Sequence, residues 1–286
     1  MICRSKMNYY FSKEYLEPPF KLFMKEIGKV EYHKCTNCGF VISKTHSELS
    51  FESWNKLNAD FHHYIEQHYM ESEGLEIQEL NSSSYSVPRK INPPPYLEQV
   101  MMLYVLSKNE IISHSTILDF AGGYGTSSKL LKKYFNLEMN VYDPYIQNYD
   151  VDYISIDTIK KYSIVFNSAM FEHIIKRDDL EKLNSLVTED GCLILHTIVC
   201  EKIPNDPNWF YLEPPVHCAF HTNKSMTILM QQWGYIDSIY CPTSKCWILF
   251  KKESKERYKK INAINTELQQ RYLFYQQGFV GYWKGF

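Results

Sequence analysis

Near the middle of the chain, Ile117-Leu118-Asp119-Phe120-Ala121-Gly122-Gly123-Tyr124-Gly125 joins an apolar run, a carboxylate and a glycine-rich turn. A buried strand feeding such a turn lets backbone approach a ligand closely at the strand's carboxyl end. Eighteen residues beyond Gly125, a second apolar run, Met139–Tyr142, is stopped by Asp143-Pro144. A carboxylate there can accept both hydroxyls of a ribose. Alone, a glycine-rich turn is as often an ordinary tight connection. With Asp143 at a strand end, a nucleoside-bearing ligand becomes the better reading.

Two ligands fit that description, a dinucleotide and S-adenosylmethionine (SAM). The dinucleotide fingerprint Gly-x-Gly-x-x-Gly ends here at Ser128 instead of glycine. Asp119 stands just before the glycines, where a carboxylate repels a pyrophosphate but suits a cationic, amino-acid-bearing ligand. SAM carries a sulfonium and an α-amino group, so the charge logic favours it.

The segment resembles motif I of the class I SAM-dependent methyltransferases, an acidic residue followed by alternating glycines. That resemblance implies cofactor contacts from Asp119, Ala121, Gly122, Gly123 and Gly125, with Asp143 on the ribose. Asp157, after a third run at Tyr153–Ile156, matches the position that meets the adenine amine. Phe166-Asn167-Ser168-Ala169-Met170-Phe171-Glu172-His173 is similar to the fourth-strand motif, which places Asn167 beside the cofactor. One departure is Ala121 where the family has its first glycine; alanine fits there if its φ is negative. The resemblance covers about residues 96–250 and is silent on the acceptor.

Methyl transfer to a hydroxyl calls for a proton acceptor, most often histidine. The candidates are His217, His221 and His173. His217 and His221 follow Pro214-Pro215 in the loop after the fifth strand, where the family presents its acceptor, and His217 is the favoured base. His221 is also read as helping to cap the next helix. His173 belongs to a Glu-His pair with a usually structural role. His196 lies in an apolar strand and reads as a core or rim histidine, and His62-His63 as solvated surface.

Cys35-x-x-Cys38-Gly39 is half of a zinc knuckle, and only Cys3 precedes it. Free thiols in a turn are the plainer reading. The segment is similar to the Cys-containing N-terminal module of some sugar-modifying methyltransferases, which implies zinc on Cys3, Cys35 and Cys38, with His33, His46 or no protein ligand as the fourth.

The elements that must position these residues follow from periodicity. Ser50 caps a helix from Phe51 to about Met70, with apolar or aromatic residues at Trp54, Leu57, Phe61, Tyr64 and Ile65. Residues 71–95 read as a linker ending in Asn92-Pro93-Pro94-Pro95, which leads into a helix from Tyr96. From residue 116 strands and helices alternate: strands at 116–120, 139–142, 153–156, 163–167 and 192–199, and helices to Tyr134 and near 178–187. A loop at 200–221 precedes a helix at 223–233, strands at 236–240 and 247–250, and a polar helix from 253 to about 274. The expected fold is α/β, a Rossmann-like SAM-methyltransferase sheet flanked by helices, with a small N-terminal zinc-ribbon-like module and a C-terminal helix. Its boundaries are 1–92, 93–252 and 253–286.

Bulk properties exclude several classes. With 44% hydrophobic residues in 286, the chain can build a full core. A net charge of −2 demands no nucleic-acid face. No apolar stretch reaches the length of a membrane span, and the eight cysteines include only one motif spacing, so a reduced, cytoplasmic setting is expected. The function these readings converge on is SAM-dependent methyl transfer to a small polar acceptor, leaving S-adenosylhomocysteine. The resemblance favours a hydroxyl of a sugar or surface polysaccharide, presented as a nucleotide sugar or oligosaccharide, and a homodimer is compatible with it. The rivals are an amine or phosphoryl-oxygen acceptor, a non-catalytic SAM-fold subunit, and an NAD-dependent oxidoreductase or epimerase. Ser128 and the lack of Tyr-x-x-x-Lys after the fourth strand argue against the last.

Overall fold

A computed structural model describes residues 1–73, 95–146 and 153–281, and of 66–73 the backbone alone. Its first elements are β1 (Met7–Lys13), α1 (Phe20–Phe23), β2 (Val30–Cys35), β3 (Val41–Ser43), α2 (Lys44–Ser47) and α3 (Phe51–Glu73). Then come α4 (Tyr96–Lys108), β4 (Ile117–Phe120), α5 (Thr126–Phe135), β5 (Asn140–Tyr142), β6 (Tyr162–Ser168), α6 (Arg177–Ser185) and β7 (Val187–His196). The last are β8 (Val199–Cys200), β9 (Ala219–Thr222), α7 (Asn223–Gln232), β10 (Asp237–Cys241), β11 (Cys246–Phe250), α8 (Lys255–Glu267) and β12 (Phe274–Gln277). They fall into two compact units. One comprises residues 1–93, 171–177 and 198–225, the other 94–170, 178–197 and 226–286.

The first unit is organised by a five-stranded sheet in the order β1-β2-β3-β9-β8. The β1, β2, β3 and β9 pairings are antiparallel, and β8 joins β9 in parallel. This is more than a zinc-ribbon-like module, because the N-terminal meander is completed by β9, from the segment read as the 200–221 loop, and by β8 just before it. The reason is burial: Phe11, Tyr32, Phe40, Val41 and Phe220 are nearly inaccessible, and Tyr32 stacks on Phe11 at 5.0 Å. Helix α3 buries Trp54, Leu57 and Phe61 of the expected stripe together with Asn58, while Tyr64 and Ile65 are half-buried. Ser50 is its cap, accepting from Ser53 N at 3.1 Å. The linker reading at 71–95 falls almost wholly outside the described residues.

The second unit holds a seven-stranded sheet in the order β12-β10-β11-β7-β6-β4-β5. Strands β5, β4, β6 and β7 run parallel, whereas β11, β10 and β12 join antiparallel. Strands β4 and β6 are buried nearly throughout because a central parallel strand is covered on both faces. From β4 the chain passes to β5 on one side and later places β6 on the other. Carboxyl ends diverge at such a reversal, which is where open α/β sheets bind ligands.

Three expectations are corrected here. The third strand, expected at Tyr153–Ile156, is only a single bridge from Tyr153 to Val141, continued by Ile154 N donating to Val141 O at 2.8 Å. The run expected at 192–199 divides into β7 and β8, which belong to different units. The C-terminal helix stops at Glu267, and Phe274–Gln277 then pairs with β10 as an added edge strand.

Helix α8 is fastened to the sheet by an ion pair between Arg257 and Asp237 at 3.2 Å, with Asp237 fully buried. The guanidinium also lies 3.7 Å above the Phe250 ring. Removing one partner of a buried pair leaves an uncompensated charge, so Arg257→Met should cost about 3–5 kcal/mol of stability. Urea unfolding checks this; a loss below about 1 kcal/mol would mean that the pair does not hold α8 in place.

Candidate functional site

In the second unit, the turn after β4 is the one expected, with a difference at Ala121. Its φ is +61°, and Gly123 and Gly125 follow at +54° and +70°. The condition set for alanine at this position, a negative φ, is therefore not met. Two hydrogen bonds help to hold it there: Ala121 N and Gly122 N both donate to Tyr142 O, at 2.7 and 3.1 Å. A non-glycine residue in this region carries roughly 1 kcal/mol or more of strain, and such strain concentrates at ligand-binding sites.

Gly122 is needed for space. A Cβ there would lie 2.7 Å from Asp119 Cγ and 2.9 Å from Val141 Cγ1. Asp119 is 2% exposed, and its Oδ1 has no hydrogen-bond partner. Burial, and then the nearby charge of Asp143, push its carboxyl up to about 8. On the neighbouring strand, Asn167 is fully buried; its amide donates to Phe120 O at 2.7 Å, while its Oδ1 is also without a partner. Two acceptors beside the glycine turn thus lack donors.

Asp143 does more than was expected of it. Its Oδ2 accepts from Gly123 N at 2.8 Å, and its Oδ1 from Tyr145 N and Ile146 N at 2.8 and 2.9 Å. A carboxylate has about four acceptor places, so little capacity is left for a ribose. Tyr153, which the sequence did not single out, donates from its hydroxyl to Gly123 O at 2.6 Å. Asp157 lies exposed in the following turn. Gln99, also missed, is wholly buried on α4 and donates to Ser168 Oγ at 3.1 Å. His196 sits near that hydroxyl, its Nδ1 3.4 Å away, as the rim histidine expected.

The histidines form a cluster inside the first unit. Glu172, His173 and His217 bring one oxygen and two ring nitrogens within 4.8 Å of one another. Tyr211 organises them: its hydroxyl donates to Glu172 Oε1 at 2.6 Å, and its carbonyl oxygen lies 2.7 Å from His217 Nδ1. A carbonyl can only accept, so His217 carries its proton on Nδ1 and keeps its lone pair on Nε2. Burial first, and then the like charges of His217 and His62, hold His173 well below the usual histidine range. His62 is not a plain surface residue, because its ring stacks on His173 at 5.5 Å. Nothing in the sequence tied a residue on α3 to one at position 173.

His221 stands apart from that cluster. It is 1% exposed, between the rings of Phe40 and Phe171 at 4.9 and 5.6 Å. The cap of α7 is made reciprocally by Thr222 and Ser225, each backbone N–H donating to the other's hydroxyl at 2.8 and 3.1 Å, and His221 Nδ1 lies 3.5 Å from the Ser225 hydroxyl.

Cys3, Cys35 and Cys38 also converge, their sulfurs within 4.8 Å of one another and Cys3 to Cys35 at 3.3 Å. Among the described residues, neither proposed fourth ligand joins them. His33 lies 3.9 Å from Glu31, and His46 is buried against Ser43 at 2.7 Å.

No family model and no curated protein matches the chain. Solved structures give distant likenesses. The plantazolicin methyltransferase BpumL, bound to a substrate analogue and S-adenosylhomocysteine, aligns at 13% identity over 78% of this chain and 96% of its own, with a TM-score of 0.41. An O-methyltransferase from a trans-AT polyketide synthase of Brevibacillus brevis aligns at 17% identity over 68% and 75%, TM-score 0.37. The citrinin polyketide synthase CMeT domain gives 10% identity and a TM-score of 0.37; the match spans 55% of this chain and about half, 53%, of that one. Likenesses this remote carry no residue roles across. The fold class stands on the strand order and the reversal at β4.

Adjacent positions in the turn should respond differently. Ala121→Gly relieves strain but adds freedom to the unfolded chain, about 0.4–1 kcal/mol, so it should be near neutral. Gly122→Ala drives a methyl group into Asp119 and should cost about 1–3 kcal/mol. Thermal unfolding of both variants tests this, and equal stabilities would contradict the close approach at Gly122.

Proposed function

We propose that the chain is a SAM-dependent methyltransferase acting on a small polar acceptor, with a sugar hydroxyl as the favoured class. The observation that carries this reading is the buried, partnerless Asp119 oxygen beneath a strained glycine turn at the sheet's reversal point. An orphaned acceptor costs roughly 1–3 kcal/mol, and a ligand ammonium would relieve it. SAM supplies that ammonium together with an electrophilic methyl group on sulfonium. Asp119 would bind the ammonium, Gly122 would admit the backbone approach, and Asn167 Oδ1 would take a further donor. Asp143 would shape the turn and offer its remaining acceptor place to a ribose hydroxyl. Asp157 is proposed for the adenine amine. A dinucleotide suits the site less well, since Asn167 Oδ1 offers an acceptor to a pyrophosphate that is itself an acceptor, and Asp119 once ionised would repel it.

For the acceptor side we propose His217 as the proton acceptor, through Nε2. Tyr211 fixes the tautomer this requires. Burial brings His217 down to about 4, which keeps it neutral near pH 7. His173 is the second candidate, and the packing of His221 leaves it a structural part. The sugar class, a nucleotide-sugar or oligosaccharide substrate, a homodimer and zinc on Cys3, Cys35 and Cys38 are supported by the sequence resemblance. The grouping of the three sulfurs adds support for zinc.

Asp119 links SAM binding to protons. Its carboxyl is raised from 3.8 to about 8, so at pH 7 it is mostly neutral. A raised carboxyl favours the folded state at low pH, and that contribution is lost as pH climbs from 3.8 through about 8. A ligand ammonium requires the ionised form, so SAM binding at pH 7 should release close to one proton, about 0.9. Calorimetry in two buffers of different ionisation enthalpy measures it. No release, or unchanged affinity in Asp119→Asn, would remove Asp119 from the cofactor site; tight NADH binding would revive the oxidoreductase.

His217→Ala should lower turnover by about 10²–10⁴ while SAM affinity stays within a few-fold. The assay is methyl transfer from labelled SAM to a panel of nucleotide sugars and oligosaccharides. Turnover unchanged with saturating acceptor would leave His173, or an acceptor that arrives already deprotonated.

A further inference from the structure

The Glu172–His173–His217 cluster has a property that proton transfer does not require. We infer that these three side chains form a site for one divalent cation of the zinc class, and that the bound ion withholds His217 from the acceptor. Two imidazoles and a carboxylate are the ligand set of open, three-ligand zinc sites. Their donor atoms already lie within 4.8 Å of one another. Zinc at about 2.0–2.1 Å from each ligand needs separations of roughly 3.5 Å, a contraction that side-chain rotation can supply.

A second, independent observation is His173 Nδ1, a buried ring nitrogen with no hydrogen-bond partner. His173 belongs to the same ligand set, and an ion bound through this nitrogen would satisfy it. The surrounding bonds are those that orient metal ligands. His217 donates its other ring N–H to a backbone carbonyl at 2.7 Å, and Glu172 accepts from the Tyr211 hydroxyl at 2.6 Å. His62 stacks on the His173 ring at 5.5 Å and so helps to hold it. Two nitrogens favour zinc, cobalt or nickel over magnesium or calcium, which prefer oxygen.

The blocking half rests on His217 being the proton acceptor; the binding half does not. An ion on Nε2 uses the one lone pair that this tautomer leaves free, so metal and proton compete for it.

Cobalt(II) is the probe. Added to the wild-type chain, it should be taken up at this site at micromolar concentration, with weak visible bands. A site on Cys3, Cys35 and Cys38 would instead show strong thiolate charge transfer in the near ultraviolet. Glu172→Gln and His173→Asn should each weaken the weak-band site at least tenfold, and zinc should displace the cobalt. X-ray absorption on the wild type gives the nitrogen–oxygen shell directly, should a variant fail to fold. Uptake with a sulfur shell only, uptake confined to millimolar cobalt, or no response to either variant overturns the site. Zinc should also inhibit methyl transfer over the range in which it fills the site, with SAM affinity unchanged. Full turnover with the site filled overturns the blocking half, whereas a failed His217→Ala prediction leaves the cobalt result standing.

Discussion

The Asp143 carboxylate, accepting three backbone N–H groups, decides the shape of the second unit's ligand edge. One oxygen ties back to Gly123 and the other gathers Tyr145 and Ile146. Hydrogen bonds to an ionised acceptor contribute about 1.5–3 kcal/mol each. That range is comparable to the strain of Ala121 at positive φ, whereas Gly123 and Gly125 take the same region without steric cost. Tyr153 adds a bond from the far side of the same glycine. The turn is held open by these bonds, and the sheet beneath it needs only to supply β4 and β5 in parallel register.

A second carboxyl close to the first could not be charged as well at moderate cost. Asp119 is almost wholly buried beneath Gly122, and the field of Asp143 adds to the burial that raises it. Two carboxyls in one site therefore divide their tasks. Asp143 accepts backbone donors and builds the turn. Asp119 is held neutral, with one oxygen waiting for a donor. A ligand that brings positive charge changes the second without disturbing the first, because the three bonds of Asp143 lie within the turn itself.

Much of this was legible in the sequence because it depends on local pattern. The helix cap at Ser50, the start of α4 at Tyr96, and the glycine turn ahead of Asp143 are set by neighbouring residues. What escaped depends on partners far along the chain. Phe-Tyr-Gln-Gln at 274–277 is too short and too polar to read as a strand, and pairs only because β10 presents an open edge. The third strand expected at 153–156 shrinks to one bridge, since the Tyr153 hydroxyl bonds the glycine turn and among the described residues no ladder continues beyond it. The φ of Ala121 is imposed by bonds to Tyr142 that no local propensity reveals. His62 and Tyr211 lie roughly 110 and 40 residues from His173 and share no motif with it.

The histidines show how the same long-range closure produces chemistry. The chain leaves the seven-stranded sheet after β6 and again after β7, and both excursions belong to the unit built on the N-terminal strands. The first brings Glu172 and His173 on a single 3-10 turn; the second brings Tyr211 and His217. Tyr211 joins the two, bonding the carboxylate of one segment with its hydroxyl and the imidazole of its own segment with its carbonyl, and leaves His173 Nδ1 without a partner. Main-chain placement thus fixes which nitrogen of His217 keeps its lone pair, while β9, paired to β3, locks the end of the second excursion. The N-terminal strands therefore bear on the orientation of these groups although they contribute neither the carboxylate nor the two clustered imidazoles.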